Sequence, residues 1–368
     1  MTIAVNTRLL FTGHPEGYGC FIQEVFRRIT QQHPEHTFIF LSDKAEKEQF
    51  DFGSNCKSII IRQAGKHSLF RKLWYDIKIP ALLKKHTADV FVCCDGYCSL
   101  TAKVPQCLLA HSPVFFTGSQ LRYYKKHIVD HLTKALSIAT VSSCLKQEIE
   151  AQYDISPDKM SVVHPATNKL FVPLNAEERQ RVKDTYTGGM EYFVYTGAIH
   201  PQKNLMLLLK AFSVFKKKQK TAMKLVLAGK LAPKYDSFRV NLQSYKYRTD
   251  VLLTGSLPDK ELAAITAAAY AMVIPSAGEG FAVPELEAMQ CKIPVISAAE
   301  PSLQEIAGEA ALYANPENYE ELAAQMILLY KDEGKRNELI QKGTAVAQRY
   351  SWDKTAGIMW ECIFKTRT

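Results

Sequence analysis

The chain has 368 residues, 47% of them hydrophobic and 23% charged, and a formal net charge of +9. That balance excludes a disordered chain, and no apolar run approaches the ~20 residues of a membrane span. Nine cysteines, an odd count without a C-x-x-C pair, argue against a disulfide framework and for a reducing cytoplasm.

The length predicts two domains of ordinary size. The chain starts directly with a strand pattern and lacks a signal-peptide layout. Residues 1–170 hold 21 Lys and Arg against 15 Asp and Glu, a balance of +6, and the remainder 25 against 22, or +3. The excess suits anionic partners such as a nucleotide diphosphate, a lipid phosphate or a membrane surface. Cys93, Cys94 and Cys98 cluster near a predicted strand end and read as core residues rather than metal ligands.

Residues 3–6 read as the first strand. The loop Gly13-His14-Pro15-Glu16-Gly17-Tyr18-Gly19 and an amphipathic helix over about 20–32 follow. Glycines at such a junction let backbone approach a ligand, although a simple turn also fits and the spacing is not G-x-G-x-x-G. Strands are predicted at 37–41 and 58–61. Two basic-aromatic segments stand out. One, over 69–86, carries Arg71, Lys72, Trp74, Lys78, Lys84 and Lys85. The other, over 119–134, carries Arg122, Tyr123, Tyr124, Lys125, Lys126 and Lys134. Each reads either as the solvated face of a packed helix or as a surface for an anionic membrane. Between them lie buried strands at 89–94 and 106–110. The second ends at His111-Ser112-Pro113, the edge of a parallel sheet where ligands bind, though a structural histidine also fits. Strand 137–141 leads to Ser142-Ser143, where a serine caps the next helix. Strand 160–163 closes the first half.

Pro165, Asn168 and Pro173 punctuate a boundary near 164–174. A charged helix over 175–185 precedes strand 192–196, which ends in Gly197-Ala198-Ile199-His200-Pro201-Gln202-Lys203-Asn204. Lys203 stands at the start of a helix over 205–217. A cation there opposes the helix dipole, and a bound diphosphate would resolve the conflict. Strand 224–228 ends at Gly229-Lys230. Strand 251–253 leads through Gly255-Ser256-Leu257-Pro258 to a helix over 259–268. Beyond residue 300 come a strand at 311–313, two amphipathic helices at 318–330 and 334–350, and a last helix over about 353–365. No internal repeat occurs.

The chain is organised around residues 271–297. Two short apolar runs, 271–274 and 293–296, bracket a loop and a helix opening at Pro284, a residue suited to the first helical position. The loop holds Gly278-Glu279-Gly280-Phe281-Ala282, beyond the carboxyl end of a strand. Glu279 and Glu287 would lie ~80° apart on one continuous helix. With Glu279 in the loop instead, both carboxylates can serve vicinal hydroxyls of a ribose or hexose, and the free helix N–H groups a phosphate. Helix electrostatics alone also explains acidic residues here, and Glu285 reads as such a case.

The run from Glu279 to Met289 resembles the E-x7-E signature of the family-4 retaining glycosyltransferases, with Ala282 where glycine is usual. The resemblance continues in order over nearly the whole chain. It implies the GT-B fold: two doubly wound, Rossmann-like α/β domains with an interdomain crevice and a C-terminal helix crossing back to the first. The expected domains are 1–170 with the crossing helix 353–368, on the acceptor side, and 171–352, binding the nucleotide sugar. The implied site comprises Gly17, Tyr18, Gly19 and His111 facing the acceptor. On the donor side it comprises Gly197, Lys203, Lys230, Ser256, Leu257, Gly280, Phe281, Ala282 and Glu287. His111, Glu279 and Lys203 are its catalytic residues. Two departures accompany it. Ala198 stands where the family has arginine, and Ser112 where it has aspartate.

The expected function is retaining, metal-independent hexosyl transfer from a nucleotide-diphosphate sugar to a hydroxyl acceptor. The acceptor is a glycan or lipid-linked species in polysaccharide or lipopolysaccharide synthesis. No cofactor beyond the donor is expected and no nucleic acid. The location expected is cytoplasmic, with peripheral contact to an anionic membrane. A same-fold epimerase or phosphorylase, or a sugar-nucleotide-binding protein without turnover, are the alternatives. No Asp-x-Asp pair supports a metal-bridged diphosphate.

Overall fold

The computed structural model describes residues 1–367 except 12–16, 44–51, 62–67, 117, 234, 277 and 279. It divides into two compact units: Met1–Pro165 with Ser351–Thr368, and Ala166–Tyr350.

The first unit is built on seven parallel strands. These are β1 (Thr2–Asn6), β2 (Thr37–Ser42), β3 (Cys56–Ile60), β4 (Val90–Cys93), β5 (Gln106–Leu109), β6 (Ser137–Thr140) and β7 (Met160–Val162). They lie in the order β3-β2-β1-β4-β5-β6-β7. Every residue of β4, β5 and β6 is buried, as expected of strands covered on both faces. Helices α1 (Tyr18–Gln32), α2 (Ser68–Leu73), α3 (Ile79–Lys85), α4 (Gly118–Lys134) and α5 (Ser143–Tyr153) connect them. Helix α1 buries Phe21, Ile22, Val25, Phe26 and Ile29, the i, i+1, i+4, i+5, i+8 stripe of a core-facing helix. The Ser142 hydroxyl accepts the Leu145 amide at 3.2 Å, the expected cap of α5.

The second unit has six parallel strands: β8 (Tyr192–Thr196), β9 (Lys224–Ala228), β10 (Val251–Gly255), β11 (Ala271–Ile274), β12 (Val295–Ala298) and β13 (Ala311–Ala314). Their order is β10-β9-β8-β11-β12-β13. The helices are α6 (Ala176–Thr187), α7 (Leu205–Gln219), α8 (Asp236–Gln243), α9 (Asp259–Ala267), α10 (Val283–Gln290), α11 (Pro301–Ala307), α12 (Tyr319–Lys331) and α13 (Glu333–Ala347). In both sheets strand order reverses beside the first strand, between β1 and β4 and between β8 and β11. This is the topological switch point at which doubly wound sheets bind ligands. No described helix is long and apolar enough to cross a membrane.

The last helix, α14 (Trp352–Lys365), belongs to the first unit. Ser351 caps it by accepting the Lys354 amide at 3.3 Å. Trp352 meets Phe21 of α1 edge-on at 6.0 Å, and Asp353 takes the Arg28 guanidinium at 2.8 Å. The Ser137 hydroxyl donates to the Cys362 carbonyl at 2.8 Å, which ties the helix to β6.

Two segments fold otherwise than the sequence reading predicts. The segment read as one basic-aromatic stretch over 69–86 is α2, a π-helical turn over Trp74–Lys78, and α3. The wider turn lets adjacent Trp74 and Tyr75 both face inward, at 0% and 2% exposure, and the Trp74 indole donates to the Ile61 carbonyl at 3.1 Å. Helix α8 was not anticipated; it buries only Phe238 and Leu242, too few apolar positions to set a period.

Trp352→Ala would remove the aromatic that seats α14 on α1. It is expected to cost about 3 kcal/mol or more, measured as a drop in the urea midpoint of the transition that reports unfolding of the first unit.

Candidate active site

At the switch-point edge of the second unit, three strand ends are drawn together by glycines. The Gly197 amide donates to the Ala228 carbonyl and the Ile199 amide to the Lys230 carbonyl, each at 2.9 Å. A Cβ on Gly229 would lie 1.8 Å from the Gly197 oxygen, so only glycine fits. Gly229 also bridges Gly255, the last residue of β10. The backbone of Gly197, Lys230 and Gly255-Ser256 is thereby gathered at one edge. Ser256 and Lys230 are exposed, and Leu257 packs half-buried against the core. Among the described residues no ion pair forms with Lys230.

Lys203 ends the short 3-10 turn Pro201–Lys203 and is half-buried. Asn204, in the left-handed region at φ 55°, follows it and opens α7 without a side-chain cap; the first turn carries no acidic residue. The Asn204 amide reaches instead to the carbonyls of Pro275 at 3.2 Å and Pro316 at 2.6 Å. It thus locks the start of α7 to the loop after β11. This leaves a helix start with unneutralised amides beside a lysine, an anion-binding arrangement.

Beyond β11, Gly278 has φ 74°, and Glu279, one of the expected catalytic residues, lies outside the described residues. Gly280 and Phe281 are half-buried, and Phe281 meets Tyr350 at 6.0 Å. Ala282 is 3% exposed and precedes α10. Helix α10 begins one residue before Pro284, with proline in its first turn. Glu285 is not the surface dipole residue expected: it is fully buried and accepts the Ser297 hydroxyl. Glu287, two residues on and therefore on the opposite side of the helix, keeps a path to solvent. Loss of hydration, reinforced by the charge of Asp259, pushes its pKa up to about 8. Two buried hydroxyls at the same edge, Thr196 at the end of β8 and Ser276 after β11, have no hydrogen-bond partner among the described residues. Sequence reasoning missed both, because serine and threonine at strand ends carry no distinguishing pattern.

In the first unit, Gly17 (φ 78°) precedes α1 as its N-cap and is exposed, while Gly19, the second residue of the helix, is buried. Between them Tyr18 lies edge-on to His111, with ring centroids 3.8 Å apart. The structure therefore brings together Gly17, Tyr18, Gly19 and His111. His111 is 0% exposed, stacked on Phe115 at 4.5 Å, and burial lowers its pKa to about 4. Its Nε2 lies 2.9 Å from the Cys94 carbonyl, so that nitrogen carries the proton and Nδ1 is a lone-pair acceptor. No described residue satisfies Nδ1. Gly96, at φ 82°, makes room for the ring: a Cβ there would come within 3.0 Å of His111 and of Phe116. The Tyr124 hydroxyl donates to the His111 carbonyl at 2.7 Å. Ser112 opens the short turn Pro113–Phe115 without a side-chain cap.

Two doubly wound units with ligand edges of this kind define the class of GT-B proteins. Residues 176–346 match the family described as glycosyl transferases group 1. The chain is 28% identical over 242 residues to the O-antigen chain mannosyltransferase B of Escherichia coli, covering 66% of this chain and 64% of the relative. It is 29% identical to the serotype-specific mannosyltransferase WbdA of Escherichia coli over 62% of this chain and 28% of that protein. The match thus spans less than two thirds of either relative. Among solved structures, WaaG, a glycosyltransferase involved in lipopolysaccharide biosynthesis, superposes with a TM-score of 0.79 at 14% identity, over 98% of this chain and 99% of WaaG. Anabaena Alr3699/HepE in complex with UDP and glucose gives 0.79 at 16% identity over 98% of both chains.

Gly229→Ala is expected to push the end of β9 away from Gly197. The cost should be about 2–4 kcal/mol, seen as a lowered melting temperature, with any nucleotide-dependent stabilisation lost as well.

Proposed function

We propose that the chain is a retaining glycosyltransferase that moves a hexose from a nucleotide-diphosphate sugar to a hydroxyl acceptor without an essential metal ion. The observation that carries this reading is the set of cationic and hydrogen-bonding groups at the switch-point edge of the second unit, within the segment that matches the family. Lys203, Lys230 and the bare amides of α7 suit a diphosphate and would stabilise charge growing on it as it leaves. The backbone at Gly255-Ser256-Leu257 suits a base read by main chain. Glu287 suits ribose hydroxyls, with the loop of Glu279, Gly280, Phe281 and Ala282 holding the donor sugar. The departing phosphate would take the acceptor's proton, and the sugar would bond on the face that phosphate leaves. The want of any Asp-x-Asp pair supports doing without a metal, and no cofactor besides the donor is invoked. The mannosyltransferase relatives make mannose the first donor sugar to try, and an O-antigen or related lipopolysaccharide glycan the first acceptor.

Of the two basic-aromatic segments, the first better supports contact with an anionic membrane, which would hold the enzyme at the cytoplasmic face beside a lipid-linked acceptor. Phe70, Leu73 and Ile77 are 44%, 36% and 60% exposed, with Ile60 of β3 at 47%. Lys72, Lys78 and Lys85 flank them. In the second segment, α4, the exposed large apolar side chain is Val129. Exposed apolar groups rimmed by lysines suit a headgroup layer. The triple variant Phe70→Ser, Leu73→Ser, Ile77→Ser is expected to lose sedimentation with vesicles containing phosphatidylglycerol, at unchanged melting temperature. Retained sedimentation would remove this surface from the reading.

The first test is thermal stability with UDP, GDP and ADP and their glucose, galactose, mannose and N-acetylglucosamine esters. A ligand at ~100 times its dissociation constant adds ~2.7 kcal/mol. No shift with any of them would overturn the transferase reading.

Glu287 supplies a sharper test. Its ionised form is the one that accepts ribose hydroxyls, and its pKa in the free protein stands near 8. Nucleotide affinity should therefore rise with pH, by up to about tenfold per unit, and level off above pH 8. In the free protein a carboxyl pKa raised above its unfolded value makes stability fall as pH climbs through that range. Glu287→Gln is thus expected to stabilise the unliganded protein at pH 8 by about 1–2 kcal/mol. The same variant should flatten the pH dependence and weaken nucleotide binding.

A further inference from the structure

At the carboxyl edge of the first unit's sheet lie two arginines with opposite surroundings. Arg8, after β1, is held by Asp43 at 3.3 Å and Asp95 at 3.1 Å, donates to the Tyr75 hydroxyl at 3.1 Å, and lies over the Trp74 ring at 4.9 Å. Its charge is met twice. Arg71, on α2, is 4% exposed and forms no ion pair with any described residue. Among the described residues it makes one hydrogen bond, from Nη1 to the Tyr97 hydroxyl at 3.2 Å. The rings of Tyr97 and Tyr123 lie at 5.1 and 5.2 Å from its guanidinium carbon. The nearby carboxylates are engaged elsewhere: Asp76 accepts the Leu100 amide at 2.8 Å, and Asp95 serves Arg8 and Tyr75.

A guanidinium has five N–H donors, and among the described residues one neutral acceptor meets them, which leaves the others to the solvent that still reaches the side chain. The adjoining rings of Tyr97 and Tyr123 favour the cation but offer its N–H edge no further acceptor. A second unmet donor borders the same tyrosine. His131, 2% exposed, lies edge-on to Tyr97 at 5.4 Å and takes the Cys98 amide on Nδ1 at 3.2 Å. Its Nε2 must then carry the proton, and no described residue accepts it. Tyr97 itself follows β4, whose carboxyl end borders the switch point. The π-helical turn directly after α2 is a distortion often found where side chains are aimed at a ligand.

We propose that Arg71, set beside the adjoining rings of Tyr97 and Tyr123, binds an anionic oxygen group, a phosphate or diphosphate ester, on the acceptor. A planar fork with several unused N–H groups meets tetrahedral phosphate oxygens in pairs, which a lysine cannot do. The acceptor is then a phosphorylated glycan or a glycan on a lipid phosphate rather than a neutral sugar. This rests on the transferase reading for the word acceptor; the anion site itself does not.

The test is binding of inorganic pyrophosphate and of glycerol phosphate at constant ionic strength, followed by thermal shift. It is run on the whole protein carrying Lys203→Ala and Lys230→Ala, so that the second unit's own cationic groups do not report. Stabilisation that falls about 10–100-fold in apparent affinity on adding Arg71→Gln supports the proposal. Equal affinity with and without Arg71→Gln, or no stabilisation by either anion, overturns it. Should Arg71→Gln fail to fold, Arg71→Lys keeps the charge and loses the fork. A tenfold weaker anion with an unshifted melting temperature then supports the proposal, and unchanged affinity overturns it. Protection by a long-chain prenyl phosphate in phosphatidylcholine vesicles, exceeding that by glycerol phosphate, would assign the anion to a lipid carrier; the reverse would assign it to a soluble phosphate. If the unmodified protein ignores all nucleotides while the Arg71-dependent shift persists, the transferase reading fails and the anion site stands.

Discussion

The approach of Gly229 to the Gly197 carbonyl is the constraint on which the second unit's edge depends. With no room for a Cβ, β9 can end directly against the turn leaving β8. Two backbone hydrogen bonds, Gly197 to Ala228 and Ile199 to Lys230, then extend the pairing past the strands proper. The turn that carries Lys203 is therefore anchored to the segment that carries Lys230, and through Gly255 to the start of the Ser256-Leu257 step. Asn204 adds the fourth side by bonding the loop after β11. Main chain rather than side chain aligns these pieces, and main-chain geometry survives many substitutions elsewhere.

Electrostatics at this edge runs against stability. A lysine stands beside the dipole-positive start of α7, and a carboxyl, Glu287, sits where hydration is poor and a second carboxylate is near. For Glu287 the placement is unfavourable in the free protein, because poor hydration disfavours the charged carboxylate. A carboxyl so perturbed at a switch point marks a candidate ligand site. The buried Glu285, by contrast, has the Ser297 hydroxyl and serves the packing of α10 on β12.

The fold was legible because buried parallel strands leave short continuous apolar runs between glycine and proline punctuation, as at 192–196, 271–274 and 293–296. The start of α7 was legible because a lysine there contradicts the dipole. What stayed hidden was contact made across the sheet. Nothing near Gly229 tells that a carbonyl 32 residues earlier would fill the place of its side chain. The meeting of Tyr18 with His111, and of Arg71 with Tyr97 and Tyr123, joins loops far apart in sequence. The inward turn of both Trp74 and Tyr75 needed a π-helical register that no 3.6-residue period announces. Glu287 was identifiable as a carboxylate on the first helix after the loop, but its raised pKa follows from the packing around it.

His111 narrows what the first unit can contribute to chemistry. A group whose conjugate acid has a pKa near 4 is neutral at pH 7 and a feeble base, so it gains little by taking a proton from a sugar hydroxyl. Its Nε2 proton is committed to the Cys94 carbonyl. What remains is Nδ1, an acceptor that orients a hydroxyl without deprotonating it. Tyr18 and Phe115 cover the ring, so a sugar reaching Nδ1 must first displace an aromatic face. On the proposed transfer, removing the acceptor's proton would fall to the departing phosphate, with His111 orienting the hydroxyl.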